Sequence, residues 1–334
     1  MRTLLTPLDW GLGHATRSLA LAEQLRRAGD ELVWASAGPA LDLLRRELPP
    51  GEPVHELPAY DVRYATSNMV WNVATQAFKW ARTLGAEGRA TAELVRRYRP
   101  DRIVSDSRFG CYHPEVESIF LTHQLHPLTG FAPANAVYRW HLNRHFNRFW
   151  VPDFPGEERL SGQLSDARGY GKVDYIGQLS RLRAGVDSTL PPVKPLAERP
   201  AHLLLLLSGP EPARTRLEDR LLRSLPEDVV RMTLIRGLPV GAKPLRVDSL
   251  SPNFSYLDYA DRVTLTDLLQ SVDLVLCRSG YSTLMDLRAL GKPALLIPTP
   301  GQTEQIYLAR RAAARGWARN FVDDRSDNLL DWFA

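Results

Sequence analysis

The sequence predicts an α/β protein of two doubly wound parallel-sheet domains. Three observations carry this. Apolar strand-length runs alternate with helix-period segments along the whole chain. The alternation breaks once, at residues 177–200, where "GQLSRLRAGVDSTLPPVKPLAERP" holds four prolines and little periodicity. Glycine turns follow strands and open helices in both halves. A length of 334 residues is long for one domain and natural for two. The predicted boundaries are 1–176 for the first domain, 177–200 for the linker and 201–334 for the second.

In order, residues 2–6 read as a strand, 14–28 as a helix, 31–35 as a strand and 40–47 as a helix. A long helical stretch from about 68 to 98 ends before Pro100, and "DRIVSD" begins the next strand. "VESIFLTHQ" is a strand with a polar end, 134–147 is helical, and "RFWVPD" is a short strand stopped by Pro152. After the linker, "AHLLLLLSG" is continuously apolar, as a parallel strand covered on both faces should be. "VDLVLC", "KPALLIP" and "WARNFVD" follow as strands, with helices at 214–225, 266–271, 282–290 and 304–315. Ligands of such sheets bind beyond the carboxyl ends of the strands, and a cleft between two domains is the expected site.

Composition excludes several classes. The chain is 44% hydrophobic and 24% charged, an ordinary globular balance. A net charge of +4 is too small to argue for nucleic acid and suits anionic small molecules or an anionic membrane surface. Two distant cysteines, Cys111 and Cys277, imply no disulfide framework, so a cytoplasmic location is expected. The N-terminal apolar run is broken by Pro7 and Asp9 and does not read as a signal peptide. No run reaches the length of a membrane-spanning helix.

Three loops carry the chemistry. "LLTPLDWGLGHATR" runs strand, turn, helix, with Gly11 and Gly13 in the turn and His14 to Arg17 in the first helical turn. Free N–H groups there favour an anion. Thr16 stands where a dinucleotide fingerprint wants glycine, and the second strand ends in Ala35 and Ser36 rather than an acid. The Gly-Lys-Ser/Thr ending of a P-loop is missing too. The bland alternative is a capping turn with a satisfied histidine. In "LLSGPEPARTR", Ser208 and Gly209 offer hydroxyl and N–H donors, although a plain turn explains that loop alone.

The third stretch is "DLVLCRSGYSTLMDLRALGKPALLIPTPGQTEQIYLA". A buried strand ends in Arg278, Ser279 and Gly280, and a helix opens through Ser282 and Thr283. A glycine turn at a helix start suits a diphosphate. Asp286, two turns in, suits vicinal ribose hydroxyls, which need a bidentate acceptor. The next strand leads to Thr303, Glu304 and Gln305, which suit sugar hydroxyls. Two successive strand ends with polar clusters at one sheet edge outweigh the reading of a capped helix with a surface acid.

These residues resemble the GT-B glycosyltransferases of the family-28 type, the group of the bacterial cell-wall N-acetylglucosaminyltransferases. "GLGHATR" is similar to the group's N-terminal glycine-histidine loop, and "CRSGYSTLMDLRALGKPALLIP" to its donor-site strand-turn-helix. "TEQ" falls where the group keeps polar residues for the donor sugar, and "SDSRFG" (105–110) resembles a strand end of uncharacterised relatives. The resemblance is strong at 1–29 and 270–315 and weak between. It implies an acceptor-side N-terminal domain and a C-terminal domain holding a UDP-linked sugar. It also implies inverting transfer with no cofactor and no essential metal. By position, Gly13, Ser208, Gly209, Arg278, Ser279, Gly280, Ser282 and Thr283 would serve the diphosphate or nucleotide. Asp286 would serve the ribose, and Thr303, Glu304 and Gln305 the sugar. The group has Glu in the ribose helix, so Asp286 is one methylene shorter. The Ser208 loop also lacks the group's richer glycine pattern.

An inverting transfer needs a base for the acceptor hydroxyl and donors for the leaving diphosphate. Histidine titrates near neutrality, so His14 is the first candidate base, with Asp9 as orienting partner. Asp106 and His123, at strand ends of the same domain, are the runners-up, each with a capping or core role as the competing reading. The sequence has no Asp-x-Asp motif, and His123 with His126 lacks a third metal ligand. Two acid-free stretches, the amphipathic 68–82 and the basic, aromatic-interleaved 137–150, suit peripheral contact with anionic lipid on the cytoplasmic face, where a lipid-linked acceptor would lie. Core-facing helices with a solvated basic face are the plainer alternative. A nucleotide-sugar epimerase or hydrolase, or a non-catalytic nucleotide-sugar binder, are the competing functions.

Overall fold

The computed structural model describes residues 1–60, 77–182, 191–195, 200–209, 211–223, 231–238 and 252–320. The chain divides into two compact units, Met1–Arg181 and Leu182–Ala334.

The first unit runs β1 (Arg2–Pro7), α1 (Gly13–Arg27), β2 (Glu31–Ser36), α2 (Gly38–Glu47), β3 (Val54–Glu56), α3 (Ala77–Tyr98), β4 (Arg102–Asp106), β5 (Glu117–Leu121), α4 (Ala132–His145), β6 (Arg148–Val151) and β7 (Lys172–Tyr175). Its seven strands are parallel, in the order β3-β2-β1-β4-β5-β6-β7. The continuous apolar strands are explained by helices on both faces. Alternate side chains point to opposite sides of the sheet. Leu5 and Trp34 pack with Leu19, Leu43 and Leu44 of α1 and α2. Their strand neighbours Leu4 and Val33 pack with Leu94 and Val95 of α3.

The second unit runs β8 (Leu203–Leu206), α5 (Ala213–Arg223), β9 (Met232–Ile235), β10 (Phe254–Leu257), α6 (Arg262–Ser271), β11 (Leu274–Cys277), α7 (Tyr281–Ala289), β12 (Ala294–Leu296), α8 (Thr303–Ala314) and β13 (Arg319–Asn320). Its six strands are also parallel, in the order β10-β9-β8-β11-β12-β13. Leu203, Leu205 and Leu207 pack with Leu217 and Leu221 of α5.

Four short strands escape the sequence pattern. β3, β7 and β10 lie at or beside sheet edges with half-exposed side chains, so alternation is weak. β9 is four buried residues between charged neighbours. The expected linker is also shorter at both ends. Leu179 is buried in the first unit's core, and Arg181 pairs with Glu47 at 3.1 Å. Arg288 of the second unit donates to the Pro191 carbonyl at 2.5 Å, and the Lys194 N–H donates to the Gly291 carbonyl at 3.1 Å. Chain ends that find apolar or hydrogen-bonding partners join the unit that supplies them, whatever their proline content. Residues 61–76, part of the long helix expected from 68, lie outside the described residues.

Candidate active site

In the first unit the strand order reverses between β1 and β4, so the connections beyond these two strands run in opposite directions and leave a crevice at their carboxyl ends. Pro7 at the end of β1 pairs in register with Asp106 at the end of β4, and the Leu8 N–H donates to the Asp106 carbonyl at 3.0 Å. The turn after β1 places His14 as the second residue of α1, and no side chain caps that helix's N-terminus. Ser107, directly after Asp106, holds a left-handed φ of 61°, which turns the chain sharply at the strand end.

This geometry joins residues far apart in sequence. His14 Nδ1 lies 2.8 Å from Asp106 Oδ1. Arg17 grips the same carboxylate with both arms of its fork, Nε to Oδ2 at 2.7 Å and Nη2 to Oδ1. Ser18 Oγ donates to Oδ2 at 3.0 Å. Arg17 Nη1 lies 3.0 Å from His123 Nδ1, just past β5. Arg17 and Asp106 are buried, whereas the His14 side chain keeps 18% of its surface exposed. Burial would raise the Asp106 carboxyl's pKa, but Arg17, then His14, overcome this and hold it well below the usual carboxylate range. The His14 pKa is lowered, first by burial and then by the Arg17 charge, against the pull of Asp106. The result is an imidazole with Nδ1 on a carboxylate and Nε2 turned away from it, the layout of a general base.

Asp9 does not orient His14. Its carboxylate accepts from Arg108 Nη2 at 3.0 Å instead, which corrects the expected pairing. Arg108 is fully buried and also donates to Glu87 at 2.7 Å and to the Pro7 and Pro58 carbonyls. Tyr60 donates to Glu87 at 2.6 Å and meets Trp10 edge to face, ring centroids 5.8 Å apart. Asp9 and Trp10 therefore belong to a buried scaffold beneath the glycine turn. Arg17, which closes the cluster, entered the sequence reading only as a neighbour of His14. The signal for it was the i, i+3 spacing that puts both residues on one face of α1.

In the second unit the order reverses between β8 and β11, and β12 lies next to β11. The polar residues expected to bind a donor gather at the carboxyl ends of these strands. Ser208 and Gly209 are exposed beyond β8, and Gly209 has φ +107°. A Cβ on Gly209 would stand 3.7 Å from Thr299 Oγ1, so this loop adjoins the one after β12. Gly280 caps α7 and Gln302 caps α8, neither with a side-chain hydrogen bond to the helix. Ser282 and Thr283 lie half-buried in the first turn of α7, with Asp286 half-buried on the second. In α8, Thr303 is exposed and Glu304 half-buried.

Three of the residues expected at the donor site have side chains held by contacts within the unit. Arg278 is buried, with its fork on the carbonyls of Ile297, Pro298 and Ala213, so it ties β11, β12 and α5 together instead of presenting a cation. The Ser279 hydroxyl donates to the Gln305 carbonyl at 2.8 Å. The Gln305 amide accepts from the Thr299 N–H at 2.8 Å and donates to Gln302 at 2.6 Å, shaping the loop after β12. Thr299 is the residue that sequence reasoning missed: its Oγ1 is buried and has no hydrogen-bond partner among the described residues. One threonine among prolines gave no periodic signal. Among the described residues, no group of three or more His, Cys, Asp or Glu is placed to hold a metal ion.

Residues 239–330 match the family model of the glycosyltransferase family 28 C-terminal domain. An uncharacterized glycosyltransferase of Methanosarcina acetivorans is 24% identical over 327 residues, covering 92% of this chain and 82% of its own. A UDP-N-acetylglucosamine–N-acetylmuramyl-(pentapeptide) pyrophosphoryl-undecaprenol N-acetylglucosamine transferase of Desulforudis audaxviator is 27% identical over 338 residues, covering 93% and 83%. Among solved structures, the glycotransferase of kitacinnamycin aligns with a TM-score of 0.68 at 14% identity, over 99% of this chain and 89% of its own. A spinosyn rhamnosyltransferase complexed with thymidine diphosphate aligns with a TM-score of 0.66 at 19% identity, over 100% and 90%. The structural likeness establishes the GT-B fold.

Proposed function

We propose that this protein, a glycosyltransferase with the GT-B fold and a family-28 C-terminal domain, moves a sugar from a UDP-linked donor to a hydroxyl of a glycan, lipid-linked or small-molecule acceptor. The anomeric carbon is inverted and no metal is needed. The observation that carries this reading is the His14–Asp106 pair at the switch point of the first sheet.

In the proposed step, His14 Nε2 takes the proton of the acceptor hydroxyl as its oxygen bonds to the anomeric carbon. The bond from that carbon to the donor's diphosphate breaks on the opposite face, which inverts the centre. Asp106, ionised throughout, accepts from Nδ1–H and holds the ring in place as the imidazolium forms. The leaving diphosphate carries its charge to the uncapped N-termini of α7 and α8 and to the Ser208–Gly209 loop. Thr299 Oγ1 is a further donor beside that loop. Asp286 accepts from the ribose hydroxyls, and Glu304 from the sugar. A lipid-linked acceptor fits peripheral contact with the cytoplasmic face of a membrane through α4, whose Val137 and Trp140 are exposed beside Arg139 and Arg144.

The test is a panel of UDP-, GDP- and TDP-sugars, with nucleotide release followed with and without glycan and lipid acceptors. Acceptor-dependent release from a UDP-sugar, an inverted product and full activity in chelator are expected. His14→Ala should lose about 10²–10⁴-fold in rate. Release without acceptor, epimerised donor, or binding with no turnover under any acceptor would each point to one of the competing functions. A His14→Ala enzyme at full rate removes the base assignment.

A further inference from the structure

We infer that Arg17 is a positioning residue: its buried fork neutralises Asp106 without freeing it, and so keeps the His14 imidazole uncharged with Nε2 as the basic nitrogen. The inference rests on the proposed role of His14 and adds a residue to it.

A carboxylate beside a half-buried histidine does two opposed things. It orients the ring by accepting from Nδ1–H, and it draws a proton onto the ring. A base that already holds its proton is useless. The structure separates the two effects. Asp106 has about four lone-pair sites, and they meet four donors: Arg17 Nε, Arg17 Nη2, the Ser18 hydroxyl and His14 Nδ1. The fork cancels the charge and leaves one site free to orient the ring.

Arg17 Nη2 also lies 2.9 Å from His14 Nδ1. That nitrogen therefore either donates to Asp106 or accepts from Arg17. An ionised carboxylate accepts charge-assisted hydrogen bonds more strongly than a neutral ring nitrogen does. The Nη2 protons also have Asp106 Oδ1 and Ser107 Oγ, the latter at 3.3 Å. Nδ1 carries the proton, and Nε2 is the lone pair. The charged or titratable groups facing His14 are Arg17 on its own helix, Asp106 at the end of β4 and His123 past β5. Arg17 bridges the other two, so every charge in the pocket is set against its guanidinium. The lowered His14 pKa agrees with this arrangement.

The experiment is an NMR titration of the His14 ring in the substrate-free protein, with the kcat/KM pH profile beside it. In Arg17→Gln, Asp106 stands unopposed next to His14. The midpoint is expected to rise by about one unit or more, and the acid limb of kcat/KM to move with it. A folded Arg17→Gln protein with an unmoved midpoint overturns the inference. Should that variant fail to fold, Arg17→Lys keeps the cation and loses the fork. Its midpoint is expected to stay low while kcat falls about tenfold and KM holds. A raised midpoint, or an unchanged kcat, in the lysine variant would overturn the inference instead. Because the titration needs no donor or acceptor, it is independent of the His14→Ala result, which tests the base reading alone.

Discussion

Asp106 concentrates the chemistry of the first unit in a single side chain. It is the last residue of a buried strand, and its register with Pro7 fixes its height at the sheet edge. Asp106→Asn keeps the shape and removes the charge. The new amide presents an N–H toward the ring and selects the tautomer in which Nδ1 is the acceptor. Steady-state kinetics should show kcat down by roughly 10³–10⁴-fold with KM little changed. A loss below tenfold would mean that the carboxylate does not orient the base. His14 was legible in the sequence because glycines before a helix and a histidine in its first turn lie within seven residues, "GLGHATR". Asp106 was legible only as a rival base, and its pairing with His14 was not, because it is 92 positions away and only strand register brings it near, while Asp9, five positions off, was the natural local choice for a partner.

At the scale of elements, α4 shows how one sequence pattern serves two faces. Leu142, with Phe146 and Phe149 just beyond the helix, packs into a core with Phe120. Phe131, Val137 and Trp140 remain exposed at 51%, 65% and 65%. The basic aromatic stretch 137–150 is therefore half core and half open surface: the core reading holds for part of it, and the open part is the face of the proposed lipid contact. The open face predicts sedimentation with vesicles containing anionic lipid, weakened severalfold by Val137→Ser/Trp140→Ser and by salt. Equal binding by the doubly substituted protein would dismiss this helix as the contact. The companion stretch 68–82 falls mainly outside the described residues, and the side chains of 77–80 with it. Close packing also decides one glycine. A Cβ on Gly110 would stand 2.6 Å from the Leu84 carbonyl of α3 and 2.8 Å from the Glu87 carboxylate. Glycine here lets the loop after β4 reach the carboxylate that holds Arg108, and the Gly110 N–H donates to it at 3.0 Å.

Across the whole molecule, four histidines, His14, His55, His145 and His202, are held below their ordinary value of 6.5, each chiefly by burial. The unfolded chain thus binds more protons than the native one between the lowered values and 6.5. Stability from this source is complete above about pH 6.5 and falls on acidification through the lowered midpoints. Glu87, whose carboxyl burial pushes up, acts with the opposite sign and is a single group. Thermal melting should therefore shift to lower temperature from pH 7 to pH 5.5. A constant or rising melting temperature over that range would contradict the burial of these rings.

The sequence by itself determined the class of the fold and the placing of its glycine loops. Buried parallel strands must be continuously apolar, their helices must be amphipathic, and ligand loops must follow strand ends; each leaves a short-range trace. Tertiary structure decided what each polar residue does. Arg278, Ser279 and Gln305 sit in the right motif, yet their side chains are tied to loop backbone and to Gln302, because a buried polar group must be paired before it can serve anything else. Thr299, with no motif, keeps a buried hydroxyl that has no hydrogen-bond partner among the described residues. Arg17 became the centre of the first unit's site because strand register brought Asp106 and His123 within reach of its fork, and pairing between distant segments leaves no local pattern to read.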